Sequence, residues 1–204
     1  MIRSAHQAHA CRGLREGNGS YSFRFDMTLV DSNHPASSAM HDNPYSEILG
    51  ELARARVQFV LGGGLACVLQ GVERVTMDVD VAVLMEPANF AAFCACMARL
   101  NLRPRLPIPP QHLLDPEVVE AMVQEKNALV YTFVDADRPV RQVDVFLAPH
   151  LSYPALLPDT ECIDLTDFSV RVLTKKKLLA LKLGIHPSRA KDSIDIEFLR
   201  RHVD

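Results

Sequence analysis

Leu61–Val83 reads LGGGLACVLQGVERVTMDVDVAV, and the order of residues in it decides the fold. Just upstream, Val57–Leu61 (VQFVL) is a short apolar run of strand type. It runs into Gly62-Gly63-Gly64, after which Leu65–Gln70 reads as a helix ending at Gly71. Asp78–Leu84 (DVDVAVL) then reads as a second strand. Glycines between a strand and a helix leave backbone N–H groups exposed at the helix start, where they can cradle phosphate. Asp78 and Asp80 stand two apart on a strand and so project from one face. Like charges side by side are costly unless a cation lies between them. A hard divalent ion is the natural partner, and Mg2+ takes one or two carboxylates together with substrate phosphates.

Working outward, Leu129–Val134 and Val140–Leu147 read as two strands joined by a hairpin at Asp135–Pro139. The second strand carries Asp144 within Arg141-Gln142-Val143-Asp144-Val145-Phe146. A carboxylate in an apolar strand is unusual unless it meets a ligand or a cation, and Arg138 and Arg141 are the nearby cations. If this strand lies beside the Asp-Val-Asp strand, three carboxylates converge on one or two metal ions. That arrangement suits in-line displacement at phosphorus.

The rest of the chain supplies the frame. Helices are expected from Asn43-Pro44 onward, over Pro87–Leu100, over Asp115–Gln124, and over two closing segments, Thr174–Ile185 and Ser188–His202. Arg103–Pro110 holds four prolines and reads as a loop, and Ser169–Leu173 reads as a last short strand. Residues 1–42 keep neither periodicity for long and read as a weakly structured extension with a short strand at Tyr21–Val30. Met27 and Met40 within it are alternative starts, and the histidine pair His6 and His9 is too small a set for a metal site. The domain proper is therefore expected over residues 43–204.

Composition bounds these readings. The chain has 204 residues, 48% of them hydrophobic, with 22 Lys and Arg against 25 Asp and Glu. That fits one domain with an extension and excludes wholesale disorder. A net charge of -3 argues against a protein built mainly to bind polyanions. No apolar run approaches the roughly 18 residues of a membrane span, and the first residues lack a secretory pattern. The five cysteines fit neither a disulfide framework nor a zinc ribbon, and read as reduced, mostly buried thiols of a cytoplasmic protein. No Walker-type phosphate loop is present.

Order and spacing together resemble the nucleotidyltransferase superfamily, whose core is a glycine pair, a helix and Asp-x-Asp. The closer resemblance is to the small bacterial AbiEii-type, abortive-infection toxin-like nucleotidyltransferases. Their segment is matched here by Gly63, Gly64, Ala66, Gly71, Arg74, Thr76, Asp78 and Asp80. The likeness continues through Glu125-Lys126-Asn127, the Asp144 strand, Lys182, and Arg189, Lys191, Asp192 and Asp195. It implies an α/β (α+β) fold, a small mixed sheet flanked by helices with further helices at the C-terminus.

The resemblance also implies a reaction: Mg2+- or Mn2+-dependent transfer of a nucleoside monophosphate from an NTP to a hydroxyl of RNA, tRNA above all, of a protein, or of a small molecule. Asp78, Asp80 and Asp144 would bind the metal and carry catalysis. Gly63 and Gly64 would hold the triphosphate, Lys182 would contact phosphate, and Arg74 and Thr76 would shape the same pocket. Asp192 and Asp195 either join the site or merely pair with Arg189 and Lys191. A cognate antitoxin protein is the implied partner. Two departures, Leu65 where many active transferases place Ser or Thr and Glu73 near the pocket, keep open the alternative of a weak or inactive nucleotide- or partner-binding module. Finally, Arg171–Asp204 carries nine Lys and Arg against four acids, either a solvated face or a wall for phosphate.

Overall fold

The Asp-Val-Asp segment forms a central strand of a seven-stranded mixed sheet. A computed structural model describes residues 44–126, 128–185 and 190–203. The N-terminal extension, Asn43, Asn127, Ser188 and Arg189 lie outside the described residues.

The chain runs α1 (Pro44–Arg54), β1 (Phe59–Gly62), α2 (Gly63–Leu69), β2 (Asp78–Val83), α3 (Pro87–Arg99), β3 (Leu102–Pro104), α4 (Pro116–Lys126), β4 (Val130–Asp135) and β5 (Gln142–Phe146). There follow α5 (Tyr153–Leu156), β6 (Thr160–Asp164), β7 (Ser169–Leu173), α6 (Lys175–Leu183) and α7 (Ala190–His202). The sheet order is β3-β4-β5-β2-β1-β7-β6. β2 pairs with β1 antiparallel and with β5 parallel, so the Asp144 strand does lie beside the Asp-Val-Asp strand.

Alternation along the strands sorts the side chains. Val79, Val81, Val143 and Val145 are fully buried between the acidic positions. Tyr131 and Phe133 of β4 share that buried layer, and Phe93 of α3 meets Phe133 edge-on at 5.6 Å. This layer is the main core, and it leaves the other face of β2 and β5 to Asp78, Asp80 and Asp144. The hairpin turn is held by Asp135, whose Oδ1 accepts from the N–H of Asp137 and of Arg138. Thr174 caps α6, its hydroxyl accepting from Lys177 N–H.

The differences from the sequence reading have local causes. α2 starts at Gly63 rather than Leu65, because Gly62 closes β1 and the next two glycines form the first helical turn. The proline-rich segment begins as a strand, β3, which tolerates Pro104 because it lies at the sheet edge. β6 was not expected: TECID has no alternation and, as the opposite edge, exposes Glu161, Cys162 and Asp164. Cys67 and Cys96 are buried free thiols and Cys94 a half-buried one, but Cys162 is disulfide-bonded, against the expectation of five reduced thiols. Among the described residues no helix is long and apolar enough to cross a membrane.

Candidate active site

Sheet register builds the site. Asp80 on β2 is paired with Asp144 on β5, and Asp78 with Gln142. Paired positions in adjacent strands share a face, so three carboxylates and one carboxamide occupy a two-by-two patch. Asp78, Asp80 and Asp144 each offer an oxygen within 4.8 Å of the other two. The alternative partners of Asp144, Arg138 and Arg141, are engaged elsewhere. Arg141 is buried and spends its guanidinium on Asp135, the Leu100 carbonyl and Glu47, while Arg138 pairs with Asp135. Asp144 is only 8% exposed, and its Oδ1 is buried without a hydrogen-bond partner. A buried, unpartnered carboxylate oxygen costs free energy unless a ligand meets it. This donor set, all oxygen and anionic, fits a hard divalent cation.

The electrostatics agree with the geometry. Burial first, then the charges of Asp78 and Asp144, push the Asp80 carboxyl up to about 6. The backbone N–H of Gly64 and the Lys182 ammonium pull it the other way. Burial and Asp78 also raise Asp144, against Thr132, Arg105 and Lys191. A carboxyl raised above its unfolded value adds stability below that value and loses it as pH rises through the folded one. The cation-free protein should therefore lose on the order of 2–3 kcal/mol between about pH 4 and pH 7 relative to Asp80→Asn. Added Mg2+ at pH 7 should restore it. Urea titrations of both proteins at both pH values, with and without Mg2+, check this; parallel curves would contradict it.

The glycines serve the same cluster. Gly63 has φ +60°, and a Cβ there would lie 1.8 Å from Asp80 Oδ2. A Cβ on Gly64 would lie 2.6 Å from Thr76 Oγ1 and 3.1 Å from Arg74 Nη2. Both positions are thus kept bare so that the backbone can close on the acidic patch. Gly63→Ala should cost about 1–2 kcal/mol in backbone strain and also displace Asp80, weakening Mn2+ binding. Denaturation and Mn2+ titration of that variant read the two effects separately.

Around the patch, Thr76 donates its hydroxyl to Asp78 Oδ1 at 2.7 Å, and Tyr45 donates to the Thr76 carbonyl. Arg74 and Lys182 are brought close to the site, but their charges face carboxylates. Arg74 Nη1 lies 2.9 Å from Asp195, and Lys182 Nζ lies 2.7 Å from both Asp192 and Asp195. Asp192 and Asp195 are fully buried. Their i,i+3 spacing on α7 turns both toward α6, an alignment legible in the sequence, whereas Lys182 as their shared partner was not. The cationic C-terminal segment is partly neutralised in the same way, with Lys177 on Asp159 and Arg201 on Glu197. Gln142 was not singled out by sequence, although its i,i+2 spacing to Asp144 placed it on the same face.

The fold is that of the nucleotidyltransferases. The solved structure of the lincosamide antibiotic adenylyltransferase LnuA with lincomycin bound superposes with a TM-score of 0.54 at 12% identity, over 79% of this chain and 98% of that one. No curated protein matches in sequence. Residues 47–204 match the family described as nucleotidyl transferase AbiEii toxin, type IV toxin-antitoxin system, and the chain belongs to that family. It is a nucleotidyltransferase by family, and the acidic patch lies on the strands where such a site was expected.

Proposed function

We propose that the protein transfers a nucleoside monophosphate from an NTP to a hydroxyl acceptor, with Mg2+ or Mn2+ held by Asp78, Asp80 and Asp144. The observation that carries this reading is the cluster of three carboxylates within 4.8 Å of one another, in which Asp144 keeps a buried Oδ1 without a hydrogen-bond partner. A divalent cation, when bound, neutralises charge on the phosphates. The remaining work falls to the chain. Gly63 and Gly64 keep side chains out of the space for the triphosphate. Thr76 orients Asp78, and Arg74 braces α7 against the glycine turn through Asp195. Lys182, held by Asp192 and Asp195, supports the phosphates through its field, which also reaches Asp80. Asp144, its carboxyl raised by burial, takes the proton of the acceptor hydroxyl. The acceptor oxygen bonds to the α-phosphorus as the bond to pyrophosphate breaks, and catalysis is mostly positioning and charge neutralisation.

The acceptor is RNA, tRNA foremost, ahead of a protein or a small molecule, in the cytoplasm and under control of a cognate antitoxin. Incubation with each labelled NTP, Mg2+ or Mn2+, total RNA and total protein, followed by gel separation, tests this. Label should enter the RNA; label in protein or small molecules alone would reassign the acceptor. One observation favours a second reading, a nucleotide- or partner-binding module: Leu65, buried at the glycine turn, offers no hydroxyl to phosphate. Calorimetric NTP binding without turnover would favour that reading.

A further inference from the structure

The fourth corner of the acidic patch is Gln142, paired with Asp78 across the strands and two residues from Asp144 on the same face. Its Nε2 lies 3.4 Å from Asp144 Oδ2, at the outer edge of hydrogen-bonding range. Its Oε1 accepts from Arg105 Nη2 at 2.8 Å. The two neighbours fix which way the amide points. A guanidinium can only donate and a carboxylate can only accept, so the oxygen faces Arg105 and the NH2 faces Asp144.

Arg105 is itself placed by the sheet. Its backbone N–H donates to the Thr132 carbonyl at 2.9 Å, just beyond the β3–β4 pairing that ends at Pro104 and Phe133. Thr132 is paired with Asp144, and Asp144 with Asp80. Arg105 therefore closes a row that crosses the sheet through the acidic patch. With strands about 4.8 Å apart, its Cα is about 10 Å from the Asp144 strand, within reach of a long side chain.

We propose that Gln142, locked by Arg105, is a positioning residue of the cation site: it holds Asp144 through Oδ2 and so presents Oδ1 to the cation. The proposal rests on reading the three carboxylates as a cation site. Groups that orient metal ligands typically change metal affinity by about 10- to 100-fold when removed. Arg105 makes the proposal sharply testable, because simple electrostatics predicts the opposite sign. Deleting a positive charge near an anionic site should tighten cation binding. Deleting a positioning group should weaken it.

The experiment is a Mn2+ titration of the full chain, followed by electron paramagnetic resonance and by calorimetry. The proteins are wild type, Gln142→Ala, Arg105→Ala, the double variant and Arg105→Lys, with thermal melts to confirm folding. Arg105 is exposed, so its variants should melt as wild type does. The expected result is weakening of about 10-fold in each single alanine variant. The double variant should be no weaker than the worse single, since both changes break one path. Arg105→Lys, which keeps a donor for Oε1, should recover most of the affinity. Unchanged or tighter Mn2+ binding by folded Arg105→Ala would overturn the positioning role while leaving the cation site intact. Absence of Mn2+ binding by wild type would overturn the cation site, and this inference with it.

Discussion

Replacing Asp78 and Asp80 together by alanine should abolish transfer of label from NTP, by at least about 1000-fold, with folding kept. The size follows from what the two side chains do. They form two of the three carboxylates within 4.8 Å of one another, so their loss removes most of the charge that would hold and position a divalent ion against the substrate phosphates. Folding should survive, and even gain at neutral pH. The pair is held together in the cation-free protein at an electrostatic cost, seen in the Asp80 carboxyl at about 6. Neither residue belongs to the apolar layer of Val79, Val81, Val143 and Val145 that fixes the strands. Label transfer and a thermal melt on the same preparation separate loss of chemistry from loss of fold. Unchanged transfer would remove the acidic patch from the mechanism.

The second large effect is one of stability. Lys182→Met should destabilise the protein by about 3–5 kcal/mol, because it removes the ammonium that two fully buried carboxylates, Asp192 and Asp195, share. Asp195 is already short of partners, its Oδ1 buried and unbonded. In a unit of this size the melting temperature should fall by roughly 10 °C. Adding Asp192→Asn removes one charge of each sign and leaves the Arg74–Asp195 pair balanced, so the double variant should recover much of the loss. Denaturant melts of the single and double variants check this. Equal losses in the two would mean that packing of the lysine stem, rather than charge balance, holds α6 to α7.

What the sequence showed of the site was local or periodic. The i,i+2 spacing of Asp78 and Asp80 put them on one face, and the glycine run before a helix marked a close backbone approach. Both are consequences of short-range geometry, and Gly63 at φ +60° against Asp80 is their physical content. The parallel pairing of β2 with β5, which brings in Asp144, is separated by some 60 residues and was reached only through the oddity of a charge in an apolar strand. Partners across the fold were not legible. Lys182 was expected on phosphate and is found on Asp192 and Asp195, and Arg138 and Arg141, both open to Asp144 by proximity in sequence, turn to Asp135 instead. Ion-pair choices of this kind depend on which side chains the tertiary packing buries together. The sheet edges were the weakest part of the reading, since β3 and β6 face solvent on one side and carry too little apolar pattern to announce themselves.

Nucleotidyl transfer by this patch is read from the position of the label on the acceptor. The protein is incubated with Mg2+, total RNA and the productive NTP, labelled in parallel at the α- or the γ-phosphate. The α-label should become covalently attached to the acceptor while the γ-label leaves as pyrophosphate. Retention of the γ-label on the acceptor, or NTP binding with no covalent transfer of either label, would contradict it.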